Sequence, residues 1–245
     1  MLIADRLGNL QVSQDPDKFP VEFPTGMKPS VSVQLSERDR QLLAILTRKI
    51  RVLTIEQIAR TWFHNSDNPK AAAKRRVKRM SEAGWLATKT MLAHPEILLE
   101  EPVFKWLPGN ESPGFGQIAY RLKARWNQSP VSTSFVLATS QAGRTFGGYV
   151  ADRAPRQSEA SHDLHLAQVY LLYRVDRPAS AKRWVSEHQL YAEGGGRGER
   201  LPDAILRHPS RNRSKDYIIE FGGAYSKSKL SEFHAALSHL RYEIW

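Results

Sequence analysis

The sequence predicts an α+β protein with an N-terminal helical unit and a C-terminal mixed α/β sandwich. Two observations carry that expectation. Residues 36–84 hold three apolar stripes at helical spacing, each preceded by a capping residue, and residues 157–245 change rhythm to helix, three strands, helix, strand. A third makes burial feasible: at 245 residues and 41% hydrophobic, the chain can enclose a core.

Residues 1–33 are rich in Pro, Asp and Lys without a sustained period, and are expected to form an arm. Ser36-Glu37-Arg38-Asp39 has the form of a capping box, in which a hydroxyl and an acidic side chain three residues on satisfy each other's backbone amides. Leu42, Leu43, Leu46 and Ile50 follow at helical spacing. Thr54-Ile55-Glu56-Gln57 repeats the box ahead of Ile58, Ala59 and Trp62. Pro69 suits the first position of a third helix, because its missing N–H has no partner there, and Gly84 suits its left-handed end. Three short helices joined by tight turns make a helix-turn-helix arrangement. Trp85 to Leu107, interrupted by Pro95 and Pro102, is expected to add strand, turn and strand as a wing, so that 34–107 is a winged-helix DNA-binding domain.

Residues 108–156 are expected to connect the two parts, with an amphipathic stretch from Ile118 to Trp126 and a short helix at Ser140–Phe146 closed by Gly147-Gly148. The C-terminal part, 157–245, opens with a helix from Glu159 to Tyr173. Strands are expected over Trp184–Tyr191, Leu201–Leu206 and Tyr217–Phe221, then a helix over Lys227–Leu240 and a last strand at Tyr242–Trp245. Strands flanked by helices on the outside give a sandwich.

Lys plus Arg less Asp plus Glu is 36 − 25 = +11, and the pI is near 9.9, a surplus that points to a polyanionic partner. There is no cysteine, which removes disulfides, thiol nucleophiles and thiolate zinc sites. Asp5 and Arg6 interrupt the opening apolar residues, and no apolar run approaches membrane-spanning length, so a cytoplasmic protein without a membrane partner is expected.

The third helix concentrates the charge. In PKAAAKRRVKRMSE, residues 69–82, Ala73, Val77 and Met80 form one stripe while Lys70, Lys74, Arg75, Arg76, Lys78 and Arg79 occupy the other faces. Six cations against one Glu repel one another unless anions neutralise them. The third helix of a helix-turn-helix unit lies in the major groove, where Lys and Arg reach phosphates and Arg can fork onto guanine. Double-stranded DNA is the expected partner; a merely solvated face, or an acidic protein partner with the chain as a scaffold, are the alternatives.

Asp203, after Pro202, opens one expected strand, and Glu220 lies near the end of the next. A hairpin centred midway between them sets the two carboxylates opposite one another on one face. Juxtaposed carboxylates repel unless a proton or cation compensates, and Mg²⁺ or Mn²⁺ suits oxygen ligands.

Leu201-Pro202-Asp203-Ala204, Ile218-Ile219-Glu220-Phe221-Gly222 and the helix carrying Lys227 and Lys229 resemble the PD-(D/E)xK nuclease superfamily. With the winged helix in front, the layout is similar to the replication-relaxation family of plasmids and mobile elements. The resemblance implies a restriction-endonuclease-like domain over 157–245 and a role in replication or transcription control. It also implies Asp203 and Glu220 as metal ligands, Glu159 as an added acidic ligand, and a lysine that stabilises charge. That lysine belongs two positions after Glu220, where this chain has Gly222. Lys227 or Lys229 could reach back in its place, making a Mg²⁺-dependent endonuclease, or the site is inactive and the domain only binds. Winged-helix regulators often dimerise, so a homodimer, or a complex with other mobile-element proteins, is a further expectation.

His162 and His165 are i, i+3 neighbours that could approach the carboxylates, although an exposed or capping pair is the simpler expectation. His188, His208, His234 and His239 show no metal spacing and are expected at the surface. Gly194-Gly195-Gly196-Arg197-Gly198 lacks the ending of a phosphate loop and reads as a hairpin loop.

Overall fold

The computed structural model describes residues 32–196 and 201–245. The expected arm lies outside them except for its last two residues, as do Arg197 and Gly198 of the glycine-rich run. The protein is mixed α and β, as its sequence predicts. Helices α1 (Glu37–Arg48), α2 (Ile55–Trp62) and α3 (Pro69–Glu82) form where expected. Both capping boxes are present: the Ser36 amide donates to Asp39 Oδ2 at 2.7 Å, and the Thr54 amide to Gln57 Oε1 at 3.0 Å. Asn68 caps α3 by accepting the Ala71 N–H at 3.0 Å, and Gly84 turns the chain out of it with φ +76°.

The wing differs from expectation. Strand β1 (Leu53–Thr54) and strand β2 (Leu86–Ala93) both pair with β4 (Val131–Ala138), giving an antiparallel sheet in the order β1-β4-β2. Strand β3 (Phe104–Trp106) instead pairs with β8 (Arg241–Ile244) in a second sheet, Phe104 opposite Ile244 and Trp106 opposite Tyr242. The physical cause is the apolar character of β3. Trp106 is 4% exposed, stacks on Tyr242 and donates its indole N–H to the Ser238 carbonyl at 2.8 Å, so it belongs to the C-terminal core. The stretch expected to connect therefore builds both halves: β4 completes the first sheet, while α4 (Phe115–Ala124) packs Ile118 and Leu122 into the second. Helix α5 (Ser140–Phe146) forms as expected.

The second sheet runs β3-β8-β7-β6-β5, with β5 (Trp184–Ser186), β6 (Ala204–Leu206) and β7 (Tyr217–Glu220) antiparallel in turn and β7 parallel to β8. Side-chain alternation sorts its residues by face. Trp184, Ala204, Leu206 and Ile219 face the core that contains Ala167, Tyr170 and Tyr173 of α6 (Ala160–Asp176). Val185, Ile205, Ile218, Tyr242 and Ile244 face the core of α4 and α9 (Lys227–Leu237). The sheet thus lies between helical layers.

Helix α6 also reaches the first sheet. Its Ala160 and Leu164 pack with Val52, Met91, Phe135 and Leu137, so one helix supports both sheets. The short helix α7 (Pro178–Lys182) leads into β5. The strand expected through Tyr191 stops at Ser186, whose hydroxyl accepts the Gln189 N–H and caps α8 (Glu187–Ala192). Among the described residues no helix is long and apolar enough to cross a membrane.

Candidate functional site

On α3, Ala73, Val77 and Met80 are buried against α1 and α2, as their spacing predicts. The six cations separate into two groups. Arg76 turns inward: its Nε donates to Asp39 Oδ1 at 2.9 Å and its NH2 to the Gln34 carbonyl at 2.8 Å. Asp39 is only 2% exposed, and its carboxyl is held below the usual aspartate range because the Arg76 and Ser36 hydrogen bonds outweigh the cost of burial. Arg76 is therefore a structural cation, contrary to the expectation that it contacts DNA. Lys70 pairs with Glu56 of α2 at 2.5 Å on the surface.

Lys74, Arg75, Lys78 and Arg79 are exposed. Among the described residues Lys74, Arg75 and Arg79 have no ion-pair partner, and Lys78 has a loose one in Glu82 at 3.9 Å. They form two i, i+4 rows, Lys74–Lys78 and Arg75–Arg79, on the helix side away from the core.

At the other candidate site the hairpin register is the expected one. The ladder ends at Ala204 opposite Ile219, and Asp203 and Glu220 stand one step beyond it. The Asp203 amide lies 3.4 Å from Glu220 Oε2. Glu220 is 1% exposed and its Oε1 accepts the Tyr225 hydroxyl at 2.6 Å. Asp203 Oδ2 accepts the Phe221 N–H at 2.6 Å and lies 3.0 Å from His162 Nε2.

His162 on α6 bridges two acids, with Nδ1 3.4 Å from Asp163 Oδ1. Burial disfavours its charge, but Asp203 and Asp163 outweigh that and raise its pKa well above 6.5. Asp163, 5% exposed, in turn accepts from Arg51 NH2 at 2.8 Å. Glu187, at the exposed start of α8, has a raised pKa, from partial desolvation of its carboxyl and from the nearby Asp203 charge. Arg51, Asp163, His162, Glu187 and Asp203 line one small cavity.

No family model, curated protein or solved structure matches this chain.

The other site residues fall as follows. Glu159 is drawn off to Arg51 NH1, 2.9 Å away, and also caps the turn at Arg156, so Asp163, one turn further along, is the acid of α6 that joins the Asp203 network. Lys227 and Lys229 are exposed at the start of α9, and Lys229 Nζ sits over the Tyr225 ring, 3.8 Å from its centre. Lys229 thereby approaches Glu220 through Tyr225.

Gly222 is buried for a packing reason. A Cβ there would lie 2.7 Å from Ile244 Cγ2 and 2.8 Å from Leu122 Cδ1, so α4 fills the space a lysine stem would need. His165 is fully buried, donates from Nδ1 to the Ser161 carbonyl at 2.5 Å, accepts the Ile97 N–H at Nε2 at 3.2 Å, and is held neutral with its pKa lowered to about 4 by burial.

As arranged, the carboxylates of the pair are engaged by donors of the chain itself. Among the described residues no three His, Asp or Glu side chains gather in a metal-holding group. Asp203 Oδ2 already faces an imidazole and an amide, and both Glu220 oxygens face N–H or O–H donors. His162, whose pKa is raised by Asp203 and Asp163, lies beside the pair, Nε2 3.0 Å from Asp203 Oδ2.

Sequence reasoning missed Arg51, Glu187 and Tyr225. Arg51 is far from Asp163 in sequence, and no spacing signals that pair. Tyr225, five residues past Glu220, and the Ser186-x-x-Gln189 cap that fixes Glu187 were readable signals.

Proposed function

We propose that this chain binds double-stranded DNA through α3, as a replication- or transcription-control protein of a plasmid or other mobile element. The observation that carries the reading is the exposed double row Lys74, Arg75, Lys78 and Arg79, on a helix held from behind by Val77, Met80 and the Arg76–Asp39 pair. A helix held from behind presents its cations at fixed spacing, so little backbone order has to be gained on binding phosphates. The mobile-element setting rests on the resemblance to the replication-relaxation family alone. The test is a duplex titration at several ionic strengths. Four phosphate contacts give a log–log salt slope of about −3.6; a response independent of salt contradicts the reading.

A second reading, a Mg²⁺- or Mn²⁺-dependent endonuclease, is favoured by the position of Asp203 and Glu220 at the same end of adjacent strands. Metal-dependent nicking of plasmid DNA that disappears in Asp203→Ala while binding persists would establish it. Binding without nicking over a panel of DNA substrates leaves the first reading.

A further inference from the structure

A second set of unpaired cations lies at the opposite ends of the strands that carry Asp203 and Glu220. Where β6 ends and β7 and β8 begin, an open cleft of about 310 Å³ is walled by Arg177, Arg183, Lys215 and Arg241. Tyr173, Ser180, Leu206, His208 and Tyr217 complete it, and no carboxylate lines it. Among the described residues none of the four cations forms an ion pair.

The acids nearest the cleft are buried and do not line it. Glu243 lies beneath the floor, 0% exposed, accepting from the Tyr173 hydroxyl, from the Tyr217 hydroxyl at 3.2 Å and from the Trp245 indole. Asp216, the acid that ends the β6–β7 loop, is buried and accepts the His208 N–H at 2.7 Å. The loop itself is exposed from 209 to 215 and adds Arg211 and Arg213 beside Lys215. Cations gathered without counter-ions repel one another, and an anion relieves that repulsion.

The cleft is joined to the helical unit by further cations. Arg174, one turn before Arg177, lies 4.9 Å over the Trp62 ring and donates to Gln41 of α1 at 2.9 Å. Arg38 of α1 donates to the Trp62 carbonyl at 3.1 Å and covers Phe63 at 4.4 Å. Stacked on aromatic rings, both guanidiniums keep their charge while losing freedom.

We propose that this cleft is a second seat for the sugar-phosphate backbone, occupied together with α3 when the duplex is long enough to span both. The identity of the polyanion rests on the reading of α3 as a DNA-binding helix. Repeated Arg and Lys around an open cleft suit a phosphodiester chain, whose charges recur along its length.

The test compares wild type, a cleft variant (Lys215→Glu with Arg241→Glu) and a helix variant (Lys74→Glu with Arg75→Glu) on a short and a long duplex across ionic strengths. The expected result is that the cleft variant binds the long duplex about ten-fold more weakly, with a salt slope shallower by about 1.8, and binds the short one as wild type does. A cleft variant equal to wild type on both duplexes, with the helix variant weakened, overturns this inference and leaves the α3 reading standing. A cleft variant weakened while the helix variant is unchanged supports the cleft and overturns α3. Wild type bound to neither duplex, but to an acidic peptide, overturns both. Lys215 and Arg241 are exposed, so thermal melts should match wild type; Arg183→Gln, which removes charge without reversing it, gives the same ordering in smaller degree.

Discussion

Arg76 joins the middle of α3 to the capped start of α1 by closing on Asp39, Nε to Oδ1 2.9 Å. The same Asp39 caps α1 through Ser36, so one buried carboxylate sets both the first turn of α1 and the angle of the basic helix. Removing the guanidinium leaves that carboxylate buried and half-satisfied.

Arg76→Ala is therefore expected to destabilise the fold by about 3 kcal/mol, near the lower end for a broken buried pair because Arg76 is a quarter exposed. Arg75→Ala, one residue away and without a partner, should change stability by no more than about 0.5 kcal/mol. Urea unfolding of the two variants checks the contrast. The pH dependence follows from Asp39. Its folded pKa is depressed, so its contribution is full above the ordinary value of 3.8 and is lost as pH falls through the lower folded value. In Arg76→Ala that acid-limb loss should shrink.

Gly222 packs against Leu122 of α4 and Ile244 of β8, with no room for a side chain. With Leu122 Cδ1 2.8 Å from the position of a Cβ, Gly222→Ala should cost about 1–3 kcal/mol through overpacking, and Gly222→Lys more. Gly222→Ala combined with Leu122→Ala should cost less than the sum of the two changes, since the second vacates the space the first needs. Melting curves of the singles and the double measure the coupling; strict additivity contradicts the packing account.

His162 titrates with the opposite sign to Asp39. Its folded pKa lies above 6.5 because Asp203 and Asp163 outweigh its burial, so its stabilisation is complete below about 6.5 and is lost as pH rises through the folded value. Stability of wild type relative to His162→Gln should accordingly decline on the alkaline side of neutrality. Proton NMR of the His162 ring gives the folded pKa directly; a value at or below 6.5 refutes the bridge.

Much of this architecture was legible locally. Ser36–Asp39, Thr54–Gln57, Pro69 and Gly84 are short-range signals, and each cap they predict is present. The Asp203–Glu220 register followed from the symmetry of a hairpin, which is also a local property. The pairing of β2 was not legible, because its partner β4 lies across a long excursion and a strand's own residues do not name the edge they join. Trp106 reads as apolar in either sheet; only the Tyr242 ring and the Ser238 carbonyl decide which. The split within the basic helix was hidden for a related reason. Arg75 and Arg76 look alike in sequence, and burial of Asp39 on another helix separates them.

The same split changes what the helix can contribute to binding. With Arg76 engaged by Asp39 and Lys70 by Glu56, four cations of the original six face outward with at most one loose partner. Lys78→Ala should remove one phosphate contact and reduce the salt slope by about 0.9, measured by fluorescence anisotropy on a duplex. Lys70→Ala, whose ammonium already faces Glu56, should alter the slope less.

The most direct test of the central claim is the affinity of wild type and of Lys74→Glu with Arg75→Glu for duplex DNA, followed across ionic strengths. The expected result is tight, steeply salt-dependent binding by wild type, and weaker binding with a slope shallower by about 1.8 for the variant, with melting unchanged. Equal affinity and equal slope in the two proteins contradict the claim that α3 holds the DNA.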